Sequence, residues 1–426
     1  RRSRGLGDVY KRQILEKSDG VGGRTRVFEK DGFKYDNGPT FFHYPEIAEE
    51  IFEALGLDAR EELGLIELDP NYRLVFGAGG SIDASTDLEH MVSQIRVLCG
   101  EDNAKGFRKY IEDNRTKLDL SKNCLNSPWR GPTDLLSRRA MRVAKVLRPW
   151  RSVSSDLSKV FSDERMQLAM SFQTKYLGMS PFQAPSLFTI LAYLEYEHGV
   201  FHAEGGLGSI TQKMGEIARD LGVDIRLNEP VNDFVFEGKK VVGAITENGT
   251  YTADKFVMNV DFATGMKGLI PDKLRKKWSN KKLDEKSYSC STYMLYLGLD
   301  KLYDTPHHQI YAAKDYQKNL KEVTENKVTW DDPSIYVQNA CVTDPTMAPE
   351  GHSTIYVLVP ASSSHEGIDW EEIKDEYMDV ILAQMENLGF EGIKDHIVSQ
   401  TIVTPDDWAS RDILSLIHIS EPTRPS

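Results

Sequence analysis

Alternation of apolar and polar residues indicates β-structure near the start of this chain. Two short alternating runs, residues 25–30 and 33–36, are joined by Asp31-Gly32. An Asp-Gly pair between such runs predicts a β-hairpin with a tight turn. The chain then continues as Asp36-Asn37-Gly38-Pro39-Thr40. In that loop the glycine would let the backbone lie close to a ligand, and the proline would set the chain direction.

The same alternation recurs further along the chain and predicts a larger sheet. Between residues 69 and 83 it places Tyr72, Leu74 and Phe76 on one face of a strand. Residues 231–261 are predicted to form three strands separated by turns, and sheet returns from about residue 289.

Helical periodicity separates these regions. Residues 45–57 carry Ile47, Ile51 and Leu55 on one face and glutamates off it, which predicts an amphipathic helix. Residues 87–179 follow a helical but irregular pattern. We expect an inserted helical subdomain or lid there.

One short stretch near the start is typical of nucleotide binding. A strand end, Ile14-Leu15, is followed by Glu16, a glycine turn at residues 20–23, and Arg24. In a dinucleotide-binding fold, an acid at the tip of the second parallel strand accepts hydrogen bonds from a ribose. A β-hairpin with a flexible turn and a surface glutamate would fit the same residues.

A second glycine-rich stretch lies in the middle of the chain. Residues 199–231 predict a glycine loop, a helix starting at Ser209, and a strand. The helix N-terminus would carry partial positive charge toward whatever the loop approaches. The pattern Gly206-x-Gly208-x-x-Thr211 lacks the third glycine of a Rossmann fingerprint, so we do not interpret it as one.

We interpret the two ends of the chain as foreign to its interior. Residues 3–13 (SRGLGDVYKRQ) and 414–424 (LSLIHISEPTR) can both be spelled by one sequencing-library adapter read inward. We therefore treat residues 1–13 and 414–426 as non-native and expect a gene fragment that is truncated at both ends. A natural basic tail is the alternative for the first segment.

Composition narrows the class of protein. A chain of 426 residues with 40% hydrophobic content can bury a substantial core, and its length predicts two lobes. The formal net charge of −13 argues against a nucleic-acid partner. Four scattered cysteines without C-x-x-C spacing predict reduced, structural thiols. No apolar run approaches the ~18 residues of a membrane-spanning helix.

Two segments suggest contact with a membrane or an apolar substrate. Residues 130–151 carry seven basic side chains against one acid, together with Leu, Met, Val and Trp150. Such a segment is typical of an anionic membrane interface, although a solvated helix paired to acids elsewhere would have the same composition. Residues 171–194 are rich in aromatic and aliphatic side chains, and they either line an apolar channel or form core.

Metal and hydrolytic chemistry have little support in the sequence. His307 and His308 are adjacent, and His198 and His202 lack the glutamate of an H-E-x-x-H motif. The chain contains no G-x-S-x-G nucleophile motif. We therefore predict no metal site.

The order of these pieces resembles the flavin-dependent phytoene desaturase family of carotenoid biosynthesis. The resemblance covers nearly all of residues 14–408. It rests on nine stretches in the family's order: LEK…GGR, GFKYDNGPT, DPNYRL, GGLGSITQKM, MNVDFA, SCSTYMLYLGL, PSIYVQNACVTDP, TIYVLVP with IDW after it, and HIVSQTIVTPDDW. It implies an α/β FAD-binding fold of the Rossmann type, with the two-lobed architecture of amine oxidases and GDP-dissociation inhibitors, a mixed-sheet substrate domain and a helical lid.

The resemblance also implies contacts to FAD, residue by residue. Glu16 would hold the adenosine ribose, and a backbone group at Val231 would contact the adenine. The other implied contacts are the pyrophosphate region at Gly22, Gly23 and Arg24, and a loop near the flavin at Gly38, Pro39 and Thr40. It implies no catalytic side chain. The family's first glycine fingerprint and its C-terminal glycine-rich segment are both missing, so we expect the chain as printed to bind FAD weakly.

The implied activity is FAD-dependent desaturation of phytoene or a related linear carotenoid precursor, because a flavin can accept a hydride and no side chain can. A carotenoid isomerase or another FAD-dependent oxidase of this fold is one alternative. A flavin-free isoprenoid-binding protein is another.

We expect residues 14–86 and 201–265 to form the FAD-binding domain and residues 266–413 the substrate domain. Residues 87–200 would form the helical lid and membrane-facing region. The protein would be cytoplasmic and held peripherally at a membrane through residues 130–151.

Overall fold

The computed structural model describes residues 12–125, 144, 146–286, 290–362 and 367–410. The end segments that we interpret as non-native lie outside this range, except for residues 12 and 13. The strands, numbered in chain order, are β1 Gln13–Leu15, β2 Val27–Lys30, β3 Phe33–Asp36, β4 Phe42–His43, β5 Leu65–Glu67, β6 Tyr72–Phe76, β7 Ser81–Ala84, β8 Val200–Ala203, β9 Asp224–Arg226, β10 Asp233–Glu237, β11 Lys240–Thr246, β12 Gly249–Thr252, β13 Ser291–Leu299, β14 His308–Ala312, β15 Ile335–Asn339, β16 Ser353–Ala361 and β17 Ile397–Val403.

Helices of very different length separate the strands. The α-helices are α1 Glu46–Glu53, α2 Ala59–Glu62, α3 Leu88–Cys99, α4 Glu101–Leu125, α5 Val153–Leu157, α6 Glu164–Ala169, α7 Ile190–His198, α8 Gly208–Asp220, α9 Phe262–Leu269, α10 Asn280–Asp284, α11 Tyr316–Thr324, α12 Trp370–Glu386 and α13 Pro405–Ser410. Short 3-10 helices include Gly23–Thr25, Phe172–Leu177 and Ser186–Thr189.

The predicted hairpin is present. Strands β2 and β3 pair antiparallel from Val27 opposite Asp36 to Lys30 opposite Phe33. Asp31 and Gly32 form the turn with φ angles of 54° and 85°. Both values are left-handed, as a two-residue hairpin turn of this hand requires.

The largest sheet has seven strands in the order β17-β13-β16-β15-β14-β6-β7. All nine residues of β13 are buried, because both faces of this strand are covered. Tyr293, Leu295 and Leu297 pack with α12 in one core, whereas Met294 and Tyr296 pack with the β2–β3 hairpin in another. The period of two in a strand therefore assigns alternate side chains to two different cores.

A smaller lobe carries the predicted nucleotide-binding elements. β1 pairs in parallel with β9, in register from Gln13 opposite Asp224 to Leu15 opposite Arg226. β10, β11 and β12 form an antiparallel meander, and β4, β8 and β5 form another three-stranded sheet. Helix α8 leads into β9 along the chain.

The predicted helical region forms a third core. Helices α3, α4, α6 and α7 pack against β6 and β7 through Tyr72, Leu74, Ile82, Met91, Ile95, Phe107, Tyr110, Phe161, Met166 and Tyr193. Among the described residues, no helix is both long enough and apolar enough to cross a membrane.

Residues 72–84 belong to a different sheet from the one that our predicted domain boundaries imply. We grouped them with the FAD-binding segment 14–86, but β6 pairs in parallel with β14 and so belongs to the seven-stranded sheet. Alternation identifies a strand but does not name its partner. The other domain boundaries stay predictions.

Helix α1 is present, but its apolar face is turned to solvent. Ile47, Ile51 and Leu55 are 59%, 47% and 44% exposed, and the buried residue is Phe52. An amphipathic helix usually buries its apolar stripe. Here Phe52 packs instead into a small core with Ala59 and Leu63, which periodicity alone could not indicate.

Candidate cofactor and substrate site

A cavity of about 2100 Å³ lies among the seven-stranded sheet, the loop that follows the β2–β3 hairpin, and the helical region. Cavities that hold one drug-sized ligand measure roughly 300–1,000 Å³. This one therefore has room for a cofactor ring together with a long substrate. Its aliphatic and aromatic lining includes Phe172, Met179, Phe182, Leu187, Met294, Ile310 and Leu358.

Four of the predicted cofactor contacts line this cavity, namely Arg24, Gly38, Pro39 and Thr40. The turn that carries Arg24 lies directly against the loop that carries Gly38. A Cβ added at Gly38 would stand 2.4 Å from the backbone oxygen of Arg24, and the Asn37 N–H donates to the Arg26 carbonyl at 2.9 Å. The structure thus brings together two of the segments predicted to hold the flavin.

Gly22 and Gly23 make the turn possible. Their φ angles are 106° and 53°, a region that glycine adopts without strain. A Cβ on Gly22 would meet the Thr211 hydroxyl at 2.4 Å, whereas a Cβ on Gly23 would meet no atom within 4 Å. One side of the turn is therefore packed against Thr211, and the other side is open.

The start of helix α8 supports the turn and the hairpin from the other side. A Cβ added at Gly208 would lie 2.4 Å from the backbone nitrogen of Val27. The glycine pattern at 206–208 therefore serves close packing, in line with our decision not to interpret it as a fingerprint. The helix begins at Gly208 rather than at Ser209.

The N-terminus of α8 faces a buried carboxylate. Burial raises the pKa of Asp36 to about 6, against the lowering effect of the nearby His202 ring and of the Leu207 and Gly208 N–H groups. A carboxylate beside the N–H groups of a helix start is electrostatically favoured. Asp36 therefore lies beside the start of α8 in the interior of the lobe, and neither carboxylate oxygen has a hydrogen-bond partner among the described residues.

Three tyrosines from the large sheet hold the loop from residue 37 to residue 40. The Tyr356 hydroxyl donates to the Gly38 carbonyl at 2.9 Å, and the Tyr296 hydroxyl donates to the Asn37 carbonyl at 3.3 Å. The Tyr336 hydroxyl lies 2.6 Å from Thr40 Oγ1. The sequence analysis did not predict these contacts. The signal would have been tyrosines at inward positions of the neighbouring strands β13, β16 and β15.

Tyr336 continues the contact into a histidine. Its hydroxyl lies 2.8 Å from His308 Nδ1, and the His308 ring stacks on Phe41 with centroids 4.2 Å apart. Burial raises the pKa of Tyr336 and lowers the pKa of His308 well away from their usual ranges. The phenol therefore keeps its proton, and the neutral imidazole can accept it in a hydrogen bond.

Glu16 and Val231, the two residues predicted to contact the adenosine, do not line the large cavity. The Glu16 backbone N–H donates to Arg226, and the Glu229 N–H donates to the Glu16 carbonyl at 2.8 Å. The segment with Val231 is thus hydrogen bonded to the tip of β1. Glu16 Oε1 accepts from the Ser18 N–H and hydroxyl, and Oε2 has no hydrogen-bond partner among the described residues.

The end of the basic segment is partly neutralised. Arg148 and Arg151 lie 3.4 and 3.2 Å from carboxylate oxygens of Asp156. Burial alone would raise the pKa of Asp156, but hydrogen bonds from Ser186 and Arg151 and the charge of Arg148 hold it below its usual value. These two arginines fit the paired alternative. The remaining basic side chains of the segment, Arg130, Arg138, Arg139, Arg142 and Lys145, lie outside the described residues.

Residues 171–194 serve both of the roles considered for them. Phe172, Met179, Phe182 and Leu187 line the cavity, whereas side chains such as Tyr193 belong to the helical core. Phe182 is 49% exposed and Trp150, which also lines the cavity, is 66% exposed. These two aromatic residues therefore mark where the cavity meets solvent.

Two of the buried histidines form contacts with other side chains. His202 Nε2 lies 3.0 Å from Asp344 Oδ2, and both side chains are fully buried. His307 Nδ1 lies 2.9 Å from the Thr343 hydroxyl. Among the described residues, no group of three or more potential metal ligands is present.

A parallel strand pair, a glycine turn packed against a loop, and a large apolar cavity beside a mixed sheet define a two-lobed α/β fold with one large ligand site. The chain belongs to the flavin containing amine oxidoreductase family, which matches residues 5–415. Membership in this family implies a flavin cofactor, and the open glycine turn beside the cavity fits one.

Relatives within the family confirm the resemblance to carotenoid desaturases. The chain is similar to 4,4'-diapophytoene desaturase (4,4'-diapolycopene-forming) of Methylomonas sp, with 35% identity over 94% of this chain and 78% of the relative. It is similar to all-trans-zeta-carotene desaturase of Myxococcus xanthus, with 31% identity over 94% and 77% of the two chains.

The predicted architecture is confirmed by a solved structure. The crystal structure of RAB GDI from Plasmodium falciparum has a TM-score of 0.54 and 13% identity over 92% of this chain and 82% of the other. At that identity the likeness is one of fold alone.

Proposed function

We propose that this protein catalyses FAD-dependent desaturation of phytoene or a related linear carotenoid precursor. The observation that carries the proposal is the cavity of about 2100 Å³, which extends from the loop of Gly38 and Thr40 to the exposed Trp150 and Phe182. A long hydrocarbon needs a large site with an apolar lining such as this one. The two carotenoid desaturase relatives support the same substrate class.

The bound flavin would supply what the polypeptide lacks, an acceptor for hydride from an unactivated C–H bond. The chain's own residues would position the substrate and the flavin and keep water away from them. The apolar wall excludes water from the reacting carbons, and the tyrosine contacts fix the loop at Gly38 so that a flat ring can lie against it. Desaturation also removes a proton from the adjacent carbon. Because the developing cation of a polyene precursor is allylic, a weak base such as water at the open mouth of the cavity is enough to take up that proton, and we assign no catalytic base.

Product mass tests the reaction. When the full-length gene is coexpressed with a phytoene-producing pathway, we expect pigments that have lost two hydrogens for each new double bond. An isomerase of the same fold would leave the mass unchanged. A purified full-length protein that is colourless and takes up no flavin would support the flavin-free alternative instead.

We propose FAD rather than a smaller flavin, because the predicted contacts reach well beyond the cavity. Glu16 would accept hydrogen bonds from the adenosine ribose through Oε2, with Val231 beside the adenine. Gly22, Gly23 and Arg24 would hold the pyrophosphate, and Gly38, Pro39 and Thr40 would lie against the flavin.

Replacing Glu16 with alanine separates FAD from FMN. Because a hydrogen bond to a charged group contributes roughly 1.5–3 kcal/mol, we expect the dissociation constant for FAD to rise about tenfold or more in Glu16→Ala. FMN lacks the adenosine ribose, so its affinity should not change. Asp19→Ala removes an exposed acid from the same turn and is the matched control. Fluorescence titration of the full-length wild type, Glu16→Ala and Asp19→Ala with FAD and with FMN measures these affinities. If Glu16→Ala lost FMN affinity as much as FAD affinity, Glu16 would not bind the ribose.

We further propose that the protein lies peripherally on the cytoplasmic side of an anionic membrane, with the cavity mouth toward the lipid. Exposed Trp150 and Phe182 at the mouth support this, since aromatic side chains favour the membrane interface. The adjoining basic segment would add electrostatic attraction of roughly 1 kcal/mol per Lys or Arg.

Vesicle flotation tests the membrane contact. We expect a variant with Arg138, Arg139, Arg142 and Lys145 changed to Gln to bind phosphatidylglycerol vesicles more weakly at low salt. We expect the double variant Trp150→Ser with Phe182→Ser to lose vesicle binding mainly at high salt, where the electrostatic contribution is screened. Trp330→Ser changes a partly exposed tryptophan outside the cavity lining and should bind as wild type. Equal flotation of all variants would contradict the proposal.

A further inference from the structure

One cation in the cavity wall has no role in the function proposed above. Lys175 lies in the 3-10 helix Phe172–Leu177 and lines the cavity. Its Nζ lies 4.5 Å from the centroid of the Tyr316 ring. Burial lowers the pKa of Lys175 to about 8, so the side chain is still mostly charged at neutral pH.

Lys175 differs from the other cations that border the cavity in having no counter-charge. Arg24 is paired with Asp261, and Arg151 is paired with Asp156. Among the described residues, no carboxylate lies within 4 Å of Lys175, and the titratable group that influences it is the Cys290 thiol. Burial raises the pKa of Cys290, so the thiol is neutral and does not compensate the ammonium.

The second polar group at this position is also unsatisfied. The Tyr316 hydroxyl is buried and has no hydrogen-bond partner among the described residues, and burial raises the pKa of Tyr316 above its usual range. The Lys175 side chain is half-buried at the cavity wall, and a half-buried ammonium without a counter-charge beside a buried phenol without an acceptor is costly. The cation–π contact offsets only part of that cost. Both groups are hydrogen-bond donors, so the missing partner is an acceptor, and the uncompensated positive charge makes an anion the best one.

We propose that Lys175 and Tyr316 form an anchor for a carboxylate at the end of a long apolar chain bound in this cavity. The site would then accept oxidised, acid-ended polyenes in addition to hydrocarbons. This inference rests on the proposed function in that the same cavity must hold an apolar chain, but it needs no redox step. The ammonium and the phenol would each donate to a carboxylate oxygen while the chain lies along the apolar wall.

Binding of a fluorescent polyene acid tests the anchor. The probes are cis-parinaric acid and its methyl ester, which share the apolar chain and differ in charge. We expect the wild-type full-length protein to bind the acid about tenfold more tightly than the ester, as a charge-assisted hydrogen bond predicts. Lys175→Met should remove this preference and leave ester binding unchanged, and Tyr316→Phe should reduce the preference by a smaller factor.

A matched lysine provides the control. Lys321 also lines the cavity but already has Glu325 as a partner at 3.5 Å, so Lys321→Met should keep the acid preference. Removing a half-buried cation that has no counter-charge should leave the melting temperature of Lys175→Met equal to or above that of wild type. Equal affinity of the wild type for acid and ester, or an unchanged preference in Lys175→Met, would overturn the anchor. If the wild type binds neither probe, the apolar-chain cavity of the proposed function fails as well.

Discussion

Replacing Gly38 with alanine is expected to weaken FAD binding at least about tenfold, or roughly 1.4 kcal/mol. The reason is contact, because the backbone of Gly38 is outside the left-handed region. The new Cβ would stand 2.4 Å from the Arg24 carbonyl oxygen, a backbone atom that cannot rotate away. The loop and the glycine turn must then separate. That movement also strains the hydrogen bond from Tyr356 to Gly38, so we expect a loss of about 1–3 kcal/mol in the free energy of unfolding.

Fluorescence titration with FAD and urea denaturation measure the two effects of Gly38→Ala on the full-length protein. Gly268→Ala is the matched control, since Gly268 lies in α9 and a Cβ there meets no atom within 4 Å. We expect unchanged FAD affinity for this control. Its stability should stay within about 1 kcal/mol of wild type or rise, because alanine favours a helix over glycine. Wild-type affinity in Gly38→Ala would show that the loop does not contact the flavin.

Replacing Asp344 with alanine is expected to destabilise the fold by about 2–5 kcal/mol at pH 7, because several buried or half-buried groups lose their acceptor at roughly 1–3 kcal/mol each. Asp344 Oδ2 accepts from the Gly205 N–H at 2.7 Å and lies 3.0 Å from His202 Nε2. Asp344 Oδ1 accepts from the Thr346 N–H and hydroxyl. The substitution leaves the fully buried His202 ring without its partner. It also disconnects β8 from the loop that precedes β16.

The effect of Asp344 should depend on pH with a defined sign. Burial alone would raise its pKa, but hydrogen bonds from His202, Thr346 and Gly205 hold the pKa below the usual 3.8. A carboxyl group whose pKa is lower in the folded state stabilises the fold above its unfolded pKa. That contribution is lost as the pH falls through the folded pKa. The difference in stability between wild type and Asp344→Asn should therefore narrow as the pH falls below about 4.

Urea unfolding across this pH range measures the effect. Asp300→Asn is the control, because Asp300 and His396 lie a similar 2.8 Å apart but are 47% and 35% exposed. An exposed pair contributes about 0–1 kcal/mol, so we expect little change at any pH. A cost below 1 kcal/mol for Asp344→Ala would mean that the buried pair does not hold the two segments together.

The sequence predicted the backbone features of this region, whereas the cofactor contacts assigned to it stay predictions. The predicted glycine turn is present, with positive φ at Gly22 and Gly23. Gly38 was predicted to let the backbone lie close to a ligand, and the structure shows in addition that a side chain there would meet the Arg24 carbonyl oxygen. Tyr296, Tyr336 and Tyr356 were missed, since in sequence they are aromatic residues in apolar strands. Lys175 was missed for the same kind of reason. In sequence it is one lysine in an apolar segment. The anchoring role proposed for it depends on the absence of a nearby carboxylate among the described residues, which only the folded structure shows.

The sequence by itself determined the local elements of this protein. The hairpin at Asp31-Gly32, the alternating strand β13 and helix α8 follow from backbone conformation and from periods of two and 3.6 residues, which act between close neighbours in the chain. Only the tertiary structure decided that β6 pairs with β14, that α1 turns Ile47 and Ile51 to solvent, and that Tyr356 reaches Gly38. These outcomes depend on contacts between distant segments, where many partners satisfy the same local pattern and packing selects one of them.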